Sequence, residues 1–389
     1  MQHITASAPG KCILFGEHAV VYGHPAVAVA IDQRINVRIE LTESKSHDWK
    51  LDGLVFDPKR HPHIEALKQR LWPSSLGAPP LSIHIDGEIP TASGLGSSAA
   101  LSVAASAALR TARGRWLNGN INSPEYWVEG FSSKLTDTDV HSRNQPEDSM
   151  RKGELGNKEK FIAGSKSVDI DECALLAHAV EAIAQGGRAS PMDSSTCSHG
   201  NVVVLSDCIE EGLEWQYTRK LITPEGEREW QIHTVDPPAD EVYLVLGNTG
   251  IHAPTSKQVE KVAMMLKNNP ERINEIETIG LIAKRGIKSL LKGDYESVGR
   301  AMSENQLMLQ SIGVSSPELE NLIRAAAPSS LGAKLTGAGG GGCMVALTRD
   351  PKSTSEAIEL AGGRTIISKF GAQGLCVETD TEAPFWKTR

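Results

Sequence analysis

The sequence predicts a mixed fold of the α+β or α/β class, organised in two domains. Segments with the two-residue period of strands alternate along the chain with segments that have the period of amphipathic helices. No internal repeat is visible, and 389 residues are enough for two domains with sizeable hydrophobic cores. We expect the boundary at Pro237 and Pro238, with an N-terminal domain over residues 1–238 and a C-terminal domain over residues 239–389.

Strands dominate the N-terminal part of the chain. Predicted strands occupy residues 4–7, 12–15, 35–41 and 81–85. Pro9 and Gly10 separate the first two, because both residue types interrupt regular structure. Residues 26–31 form an apolar run that is either a buried strand or a short helix, since periodicity alone does not distinguish them.

The remaining elements follow from the same patterns. Residues 171–184 place Cys173, Leu176, Val180 and Ile183 on one face of a helix. Further strands are predicted at residues 201–206, 229–233, 241–246 and 343–347, and further helices at residues 255–266, 274–291 and 295–309. Residues 113–168 are polar, lack periodicity and are far longer than an ordinary connection, so they are predicted to be an insertion of uncertain structure.

Composition excludes several classes of function. The formal net charge of −8 argues against nucleic acid or an anionic membrane as the main partner, although an anionic small ligand needs only a local positive site. The six cysteines form no Cys-x-x-Cys pair and are expected to be reduced thiols. No signal peptide and no membrane-spanning run is visible, so a cytoplasmic protein is expected.

Residues 90–100, called the phosphate loop below, carry the strongest local signal. Gly94 and Gly96 permit a tight turn, and Ser97 or Ser98 can cap the alanine-rich helix that follows. Free N–H groups and the positive end of that helix would attract an anion, most simply a phosphate. The predicted nucleotide contacts are Pro90, Ser93, Gly94, Leu95, Gly96, Ser97, Ser98 and Ala99. This is not a Walker A loop, because the Gly-Lys-Ser/Thr ending is missing. The alternative is a capped core helix after a flexible turn, because small Gly/Ser motifs recur by chance.

Two further segments supply groups that phosphoryl transfer requires. Lys11 and the polar turn at Glu17 and His18 offer charge near a strand end, and Asp193 lies in a turn that contains Pro191. Phosphoryl transfer needs donors for the phosphates, a cation, metal ligands and a group that deprotonates or orients the attacking hydroxyl. The sequence contains all of these parts.

Three motifs together resemble those of the GHMP kinase family. Residues 9–26 (Pro-Gly-Lys-Cys-Ile-Leu-Phe-Gly-Glu-His-Ala-Val-Val-Tyr-Gly-His-Pro-Ala) resemble its first motif. The phosphate loop resembles the second, Pro-x-x-x-Gly-Leu-Gly-Ser-Ser-Ala, and residues 334–346 (Lys-Leu-Thr-Gly-Ala-Gly-Gly-Gly-Gly-Cys-Met-Val-Ala) resemble the third. The motifs occur in the family order, and the resemblance covers most of the chain outside residues 113–168.

The resemblance implies an α+β protein with the two-domain GHMP kinase fold. An N-terminal nucleotide-binding α/β domain and a C-terminal ferredoxin-like α+β domain would enclose the active site between them. Residues 19–26 and 248–257 are similar to members that phosphorylate mevalonate. The implied reaction transfers the γ-phosphoryl group of ATP to the 5-hydroxyl of mevalonate, giving 5-phosphomevalonate and ADP, with Mg²⁺ as cofactor and a homodimer as the assembly.

Site roles also come from the resemblance. Asp193 matches the catalytic base and Lys11 the lysine beside it, which would stabilise charge that develops during transfer. Glu17, His18 and Thr255 match substrate-binding positions. Other interpretations stay open: Asp193 as an Asx-turn residue, Lys11 as an exposed lysine at a strand start, and Thr255 as a helix N-cap.

Ser98 and Glu181 match the residues that hold Mg²⁺ in this family. Ser97 is the alternative for Ser98, because either serine can cap the helix. Gly186 and Gly187 add a residue between the helix of Glu181 and the turn of Asp193, so a solvent-facing helix glutamate is the alternative for Glu181.

Two other functions fit the same motifs. A GHMP kinase for another small hydroxyl substrate, such as phosphomevalonate, would need added Lys or Arg for the extra dianion, and the motifs contain none. A catalytically inactive ligand sensor would have no chemical need to keep Lys11, Ser98 and Asp193 together.

Overall fold

The structure, a computed structural model, describes residues 3–41, 48–72, 80–91, 93–116, 170–184, 189–223 and 226–379. Residues 117–169, most of the predicted insertion, lie outside the described residues, as do Gly186 and Gly187. Within the described ranges the chain forms two β-sheets with helices packed against them.

The first sheet is organised around one long strand. Its strands from the N-terminal part of the chain are β1 (His3–Phe15), β2 (Ala26–Leu41), β3 (Lys50–Leu51), β4 (Leu54–Val55), β5 (Leu81–Gly87), β6 (Val202–Ser206), β7 (Glu214–Thr223) and β8 (Gly226–Val235). β2 pairs antiparallel with β1 on one edge, and with β6 and then β5 on the other. Residues 26–31 of β2 are all fully buried, so this apolar run is a strand covered on both faces, which is why it lacks alternation.

β1 runs through the break predicted at Pro9 and Gly10, so that prediction of two strands was wrong. The pairing with β2 shifts register between Pro9 and Lys11, and such a bulge accommodates a proline that cannot donate to the ladder. A Cβ on Gly10 would lie 2.9 Å from the carbonyl oxygen of Leu95. The glycine therefore lets the phosphate loop approach β1, where Lys11 N–H donates to that same carbonyl at 2.9 Å.

The first sheet is packed by helices α1 (Pro62–Leu71), α2 (Ser97–Trp116), α3 (Ile170–Ala184) and α4 (Met192–His199). α2 lies against β1 and β2, and α3 and α4 pack on it in turn. One prediction needs correction. Asp193, predicted in a turn that contains Pro191, lies in the first turn of α4, and Pro191 is the N-cap of that helix.

The second sheet contains β9 (Tyr243–Asn248), β10 (Gly332–Leu335), β11 (Cys343–Thr348) and β12 (Arg364–Lys369). Its helices are α5 (Thr255–Asn268), α6 (Ile273–Leu291), α7 (Tyr295–Ser311), α8 (Pro317–Ala326) and α9 (Pro351–Leu360). The strand order β10-β11-β9-β12, with every pair antiparallel, is that of the split β-α-β unit of ferredoxin-like domains. The expected ferredoxin-like architecture is therefore present.

The last described strand, β13 (Cys376–Thr379), returns to the first sheet and pairs antiparallel with the start of β1. A continuous cluster of buried apolar side chains contains members of both sheets, such as Val29 and Val345. The domain boundary at residues 238 and 239 stays a prediction. No helix in the described part of the chain has the length and apolar character that crossing a bilayer requires.

Candidate active site

A cavity of about 470 Å³ opens where the loop between β10 and β11 and the start of α5 face β1, the phosphate loop and α4. The predicted site residues that line it are Lys11, Glu17, His18, Ser93, Gly94, Gly96, Ser97, Ser98, Glu181, Asp193 and Thr255. All residues predicted as catalytic, substrate-binding or metal-binding are thus brought together. Pro90, Leu95 and Ala99 are not part of this lining, and Leu95 and Ala99 are fully buried in the hydrophobic core.

Close backbone contacts shape the phosphate loop. Gly94 and Gly96 have φ of 79° and 75°, which side chains with a Cβ rarely adopt. Residues 337–342, called the glycine cluster below, pack directly on the loop, and a Cβ on Gly342 would lie 2.8 Å from the carbonyl oxygen of Ser93. Cys343 N–H donates to the same oxygen at 3.0 Å. The start of β11 and the glycine cluster before it therefore hold the phosphate loop through close backbone contacts, and a side chain at Gly342 would block this approach.

We expect Gly96→Ala to damage both stability and activity. A Cβ at this position would lie 2.9 Å from Cγ of Lys11 and would displace that side chain. Gly53 is the matched control, because its φ is 80° and a Cβ there would meet nothing within 4 Å. Gly53→Ala should cost about 1–2 kcal/mol from backbone strain alone, and Gly96→Ala about 1–3 kcal/mol more from overpacking. Chemical denaturation and kcat measure the two effects, and equal losses in both variants would contradict the contact with Lys11.

Lys11 and Asp193 form an ion pair at the cavity wall, with Nζ of Lys11 3.0 Å from Oδ1 of Asp193. Lys11 is 2% exposed, so it is not a surface lysine at a strand start, and Nζ also donates to the Gly94 carbonyl at 3.1 Å. Burial lowers the pKa of Lys11, but the charge and hydrogen bond of Asp193 outweigh it and the net shift is upward. The pair therefore presents a fixed ammonium beside a carboxylate whose side chain keeps 35% of its surface exposed.

Ser98 and Glu181 meet on the same wall, where Oγ of Ser98 donates to Oε1 of Glu181 at 3.1 Å. Glu181 is buried and is not a solvent-facing helix glutamate. Burial, together with the charge of Asp193, raises the pKa of Glu181 to about 8. A hydroxyl and two neighbouring carboxylates are hard oxygen donors, and a divalent cation would relieve the repulsion between the two acids.

These donors fit a cation that is shared with phosphate. Among the described residues, no group of three or more His, Cys, Asp or Glu side chains is arranged to hold a metal ion. Phosphate oxygens and water would therefore have to complete the coordination of a metal at Ser98 and Glu181.

Glu17 is buried in a network that joins the first and second sheets. Oε1 of Glu17 accepts from Nζ of Lys334, and Oε2 accepts from Nδ2 of Asn305 at 3.1 Å. Nζ of Lys334 also donates to the carbonyl groups of Ile13, at 3.4 Å, and Leu335. Neither Lys334 nor Asn305 was predicted as a site residue from the sequence. Lys334 stands at the head of the third motif, and that position was the available signal, whereas nothing in the sequence marks Asn305.

His18 and Thr255 both line the cavity. His18 has φ of 62°, and its Nε2 lies 3.0 Å from the carbonyl oxygen of Ala338, so this nitrogen carries the hydrogen and donates. Burial lowers the pKa of His18 to about 4, and the ring is neutral at pH 7. Thr255 is the first residue of α5 behind Pro254, which is the N-cap, so the alternative of Thr255 as N-cap was wrong.

Comparison with known proteins identifies the class of this fold and site. The family model described as GHMP kinases N terminal domain matches residues 63–125, and the one described as GHMP kinases C terminal matches residues 287–362. With the phosphate loop and the two sheets, these matches define a GHMP kinase, an ATP-dependent kinase with the two-domain fold of that family. Kinases of this kind use ATP with a divalent metal.

Mevalonate kinase from Pyrococcus abyssi is 30% identical to the chain over 403 residues, covering 96% of the chain and 98% of that protein. The chain belongs to the mevalonate kinase group of the GHMP kinase family. The structure of Methanococcus jannaschii mevalonate kinase superimposes with a TM-score of 0.61 and 22% identity, covering 95% and 98% of the two chains.

A phosphomevalonate kinase is as similar in fold. The Streptococcus pneumoniae enzyme, in complex with phosphomevalonate and AMPPNP, superimposes with a TM-score of 0.62 and 16% identity, covering 96% and 99% of the two chains. The fold alone therefore does not separate these two acceptors, and the residues of the cavity must be considered.

Proposed function

We propose that the protein transfers the γ-phosphoryl group of ATP to the 5-hydroxyl of mevalonate, forming 5-phosphomevalonate and ADP. The observation that carries the proposal is the ion pair between the buried ammonium of Lys11 and the partly exposed carboxylate of Asp193, 3.0 Å apart, at the wall that also carries the phosphate loop. A carboxylate that is open to the cavity and lies next to N–H groups suited to phosphate can act as the general base for a hydroxyl that attacks a phosphate.

In this mechanism Asp193 accepts the proton of the 5-hydroxyl as the oxygen bonds to the γ-phosphorus. The bond between the γ-phosphorus and the bridging oxygen breaks at the same time, and ADP leaves with the electron pair. The ammonium of Lys11 holds the carboxylate in place through their ion pair and stabilises the negative charge that develops on the phosphoryl oxygens.

We infer that the divalent cation is Mg²⁺ and that Ser98 and Glu181 hold it. Their oxygens lie 3.1 Å apart, close to Asp193, and the buried carboxylate of Glu181 accepts this hydrogen bond from Ser98. Mg²⁺ prefers such oxygen ligands and usually completes its shell with phosphate oxygens and water. When bound, it would neutralise charge on the phosphates of ATP.

The charges of the cavity favour mevalonate over phosphomevalonate. Among the described lining residues Lys11 alone is a lysine or arginine, and it is already paired with Asp193. His18 is neutral at pH 7 because burial lowers its pKa to about 4. A second phosphate dianion would need further cations, whereas the apolar side chains of Ile13, Val20 and Val259 suit the methyl-bearing carbon chain of mevalonate.

A substrate screen tests the proposal directly. ADP release is followed with Mg·ATP and, separately, mevalonate, phosphomevalonate, galactose and homoserine. Of the four acceptors, we expect turnover only with mevalonate, and we expect EDTA to abolish that turnover by removing the metal. Turnover with phosphomevalonate and none with mevalonate would contradict the acceptor. ATP binding without turnover of any of the four would instead support the sensor.

The homodimer and the cytoplasmic location stay predictions from the sequence. Light scattering coupled to size-exclusion chromatography measures the first, because a dimer has twice the mass of the 41.8 kDa chain.

A further inference from the structure

Two side chains on one face of β7 are linked by hydrogen bonds to the chain segments that precede and follow Asp193. Tyr217 and Arg219 are two residues apart and therefore lie on the same face of the strand. The hydroxyl of Tyr217 and Oγ of Ser195, two residues after Asp193, share a hydrogen bond at 2.9 Å. Arg219 reaches the segment before Asp193 through a buried histidine, His178 of α3.

His178 connects Arg219 to the backbone that leads into α4. Nε of Arg219 donates to Nδ1 of His178 at 2.9 Å, and Nε2 of His178 lies 2.9 Å from the carbonyl oxygen of Ala189. A guanidinium only donates and a carbonyl only accepts, so the hydrogen is on Nε2 and the ring has a single tautomer. Burial and the charge of Arg219 lower the pKa of His178 to about 3, which keeps the ring neutral at pH 7.

The segment held in this way carries the acid that faces the cavity. Ala189 and Ser190 line the cavity and lead to Pro191, the N-cap of α4, which makes no side-chain capping bond. α4 has only 8 residues, and Asp193 lies in its first turn. A helix this short takes its position from its neighbours. The bonds at Ala189 and Ser195 are therefore well placed to determine where the Asp193 carboxylate points.

We propose that His178, oriented by Arg219, and Tyr217 are positioning residues that hold Asp193 at the attacking hydroxyl. The inference rests on the proposed function, because it takes Asp193 as the group that accepts the proton. None of the three lines the cavity. They act by holding Ala189 and Ser195, which flank Asp193, and a displacement of about 1 Å in a reacting group can cost about a hundredfold in rate.

His178→Leu and His178→Gln test the proposal as a pair. Leucine removes both hydrogen bonds, and we expect kcat to fall about 10- to 100-fold while the KM for ATP changes less than about twofold. Glutamine can accept from Arg219 with its oxygen and donate to Ala189 with its nitrogen, so we expect it to restore kcat to within about threefold of the wild type.

His233→Leu is the matched control. His233 is also fully buried, accepts a hydrogen bond from the backbone N–H of Glu210 at 3.1 Å, and is not in the cavity lining. His233→Leu should lower the melting temperature as His178→Leu does, but should leave kcat per folded molecule near the wild-type value. If His178→Leu behaved like this control, with kcat within about twofold of wild type, His178 would be purely structural and the proposal would be overturned.

Tyr217→Phe keeps the test decisive if leucine at position 178 prevents folding. It removes only the hydroxyl that meets Ser195 and should lower kcat about tenfold at unchanged KM for ATP. Wild-type kcat in Tyr217→Phe would overturn the proposal in that case. Failure of the proposed function has a different signature, because the wild type itself would then not turn over mevalonate. If Asp193 were not the base, Asp193→Asn would keep its turnover whatever the positioning variants do.

Discussion

Asp193→Asn should lower kcat by about a hundredfold to ten-thousandfold while the protein still folds. Asparagine has nearly the volume of aspartate and can still accept from Nζ of Lys11, now 3.0 Å from Oδ1, but it cannot take the proton of the attacking hydroxyl. The buried ammonium of Lys11 loses its counter-charge, so some loss of stability accompanies the loss of rate. Steady-state kinetics and thermal unfolding separate the two effects.

Asp240→Asn is the control for this substitution. Asp240 has a side-chain exposure of 31%, against 35% for Asp193, and pairs with Arg349 at 2.7 Å, but it is not part of the cavity lining. We expect its kcat to equal that of the wild type. Near-wild-type turnover of Asp193→Asn would remove Asp193 as the base, and an equal loss in both variants would point to a general effect of losing a surface charge.

Lys334→Met should be the most destabilising of the substitutions considered, with a loss of about 3–5 kcal/mol of unfolding free energy. Methionine fills most of the space, but it leaves the Glu17 carboxylate buried without its cation. Burial already raises the pKa of Glu17 against the opposing charge of Lys334, so the unpaired acid would be driven towards its protonated form. Denaturant unfolding measures the loss.

Two further variants show whether the loss comes from the unpaired charge. Lys220→Met breaks an exposed ion pair, with Glu229 at 3.0 Å, and should cost less than about 1 kcal/mol. Adding Glu17→Gln to Lys334→Met removes the stranded charge and should restore part of the stability. If Lys334→Met alone were no less stable than Lys220→Met, the buried ion pair of Lys334 and Glu17 would contribute little to the free energy of unfolding.

The parts of the site that lie close together in sequence could be predicted from the sequence. The phosphate loop is local: its glycines, serines and helix start are consecutive, and the constraint that requires Gly94 and Gly96 acts within a few residues. Asp193 and Lys11 were identified by resemblance, but their contact joins residues far apart in the chain, and neither position carries a local sign of burial.

The features that could not be predicted depend on distant pairing. Glu17 and Lys334 are 317 residues apart, and their ion pair becomes visible only when the two sheets are placed together. Pro9 and Gly10 were interpreted as a break because both residue types usually interrupt a strand. In the structure, pairing with the long strand β2 keeps β1 continuous, and a bulge between Pro9 and Lys11 accommodates the proline. The positioning network at His178 has the same origin, since Arg219 reaches it from 41 residues away.

The return of β13 to the first sheet has a consequence for how the molecule is made. Ile4 lies opposite Thr379, so the start of β1 gains this neighbour only after more than 370 further residues have been synthesised, through Thr379. Until then the edge of β1 at residues 4–7 offers unpaired N–H and C=O groups to any other strand nearby. Pairing over such a long sequence separation is also slow, because loop closure must precede it. The pairing of β1 is therefore completed late, and a chain truncated before Cys376 lacks β13 and keeps that edge open.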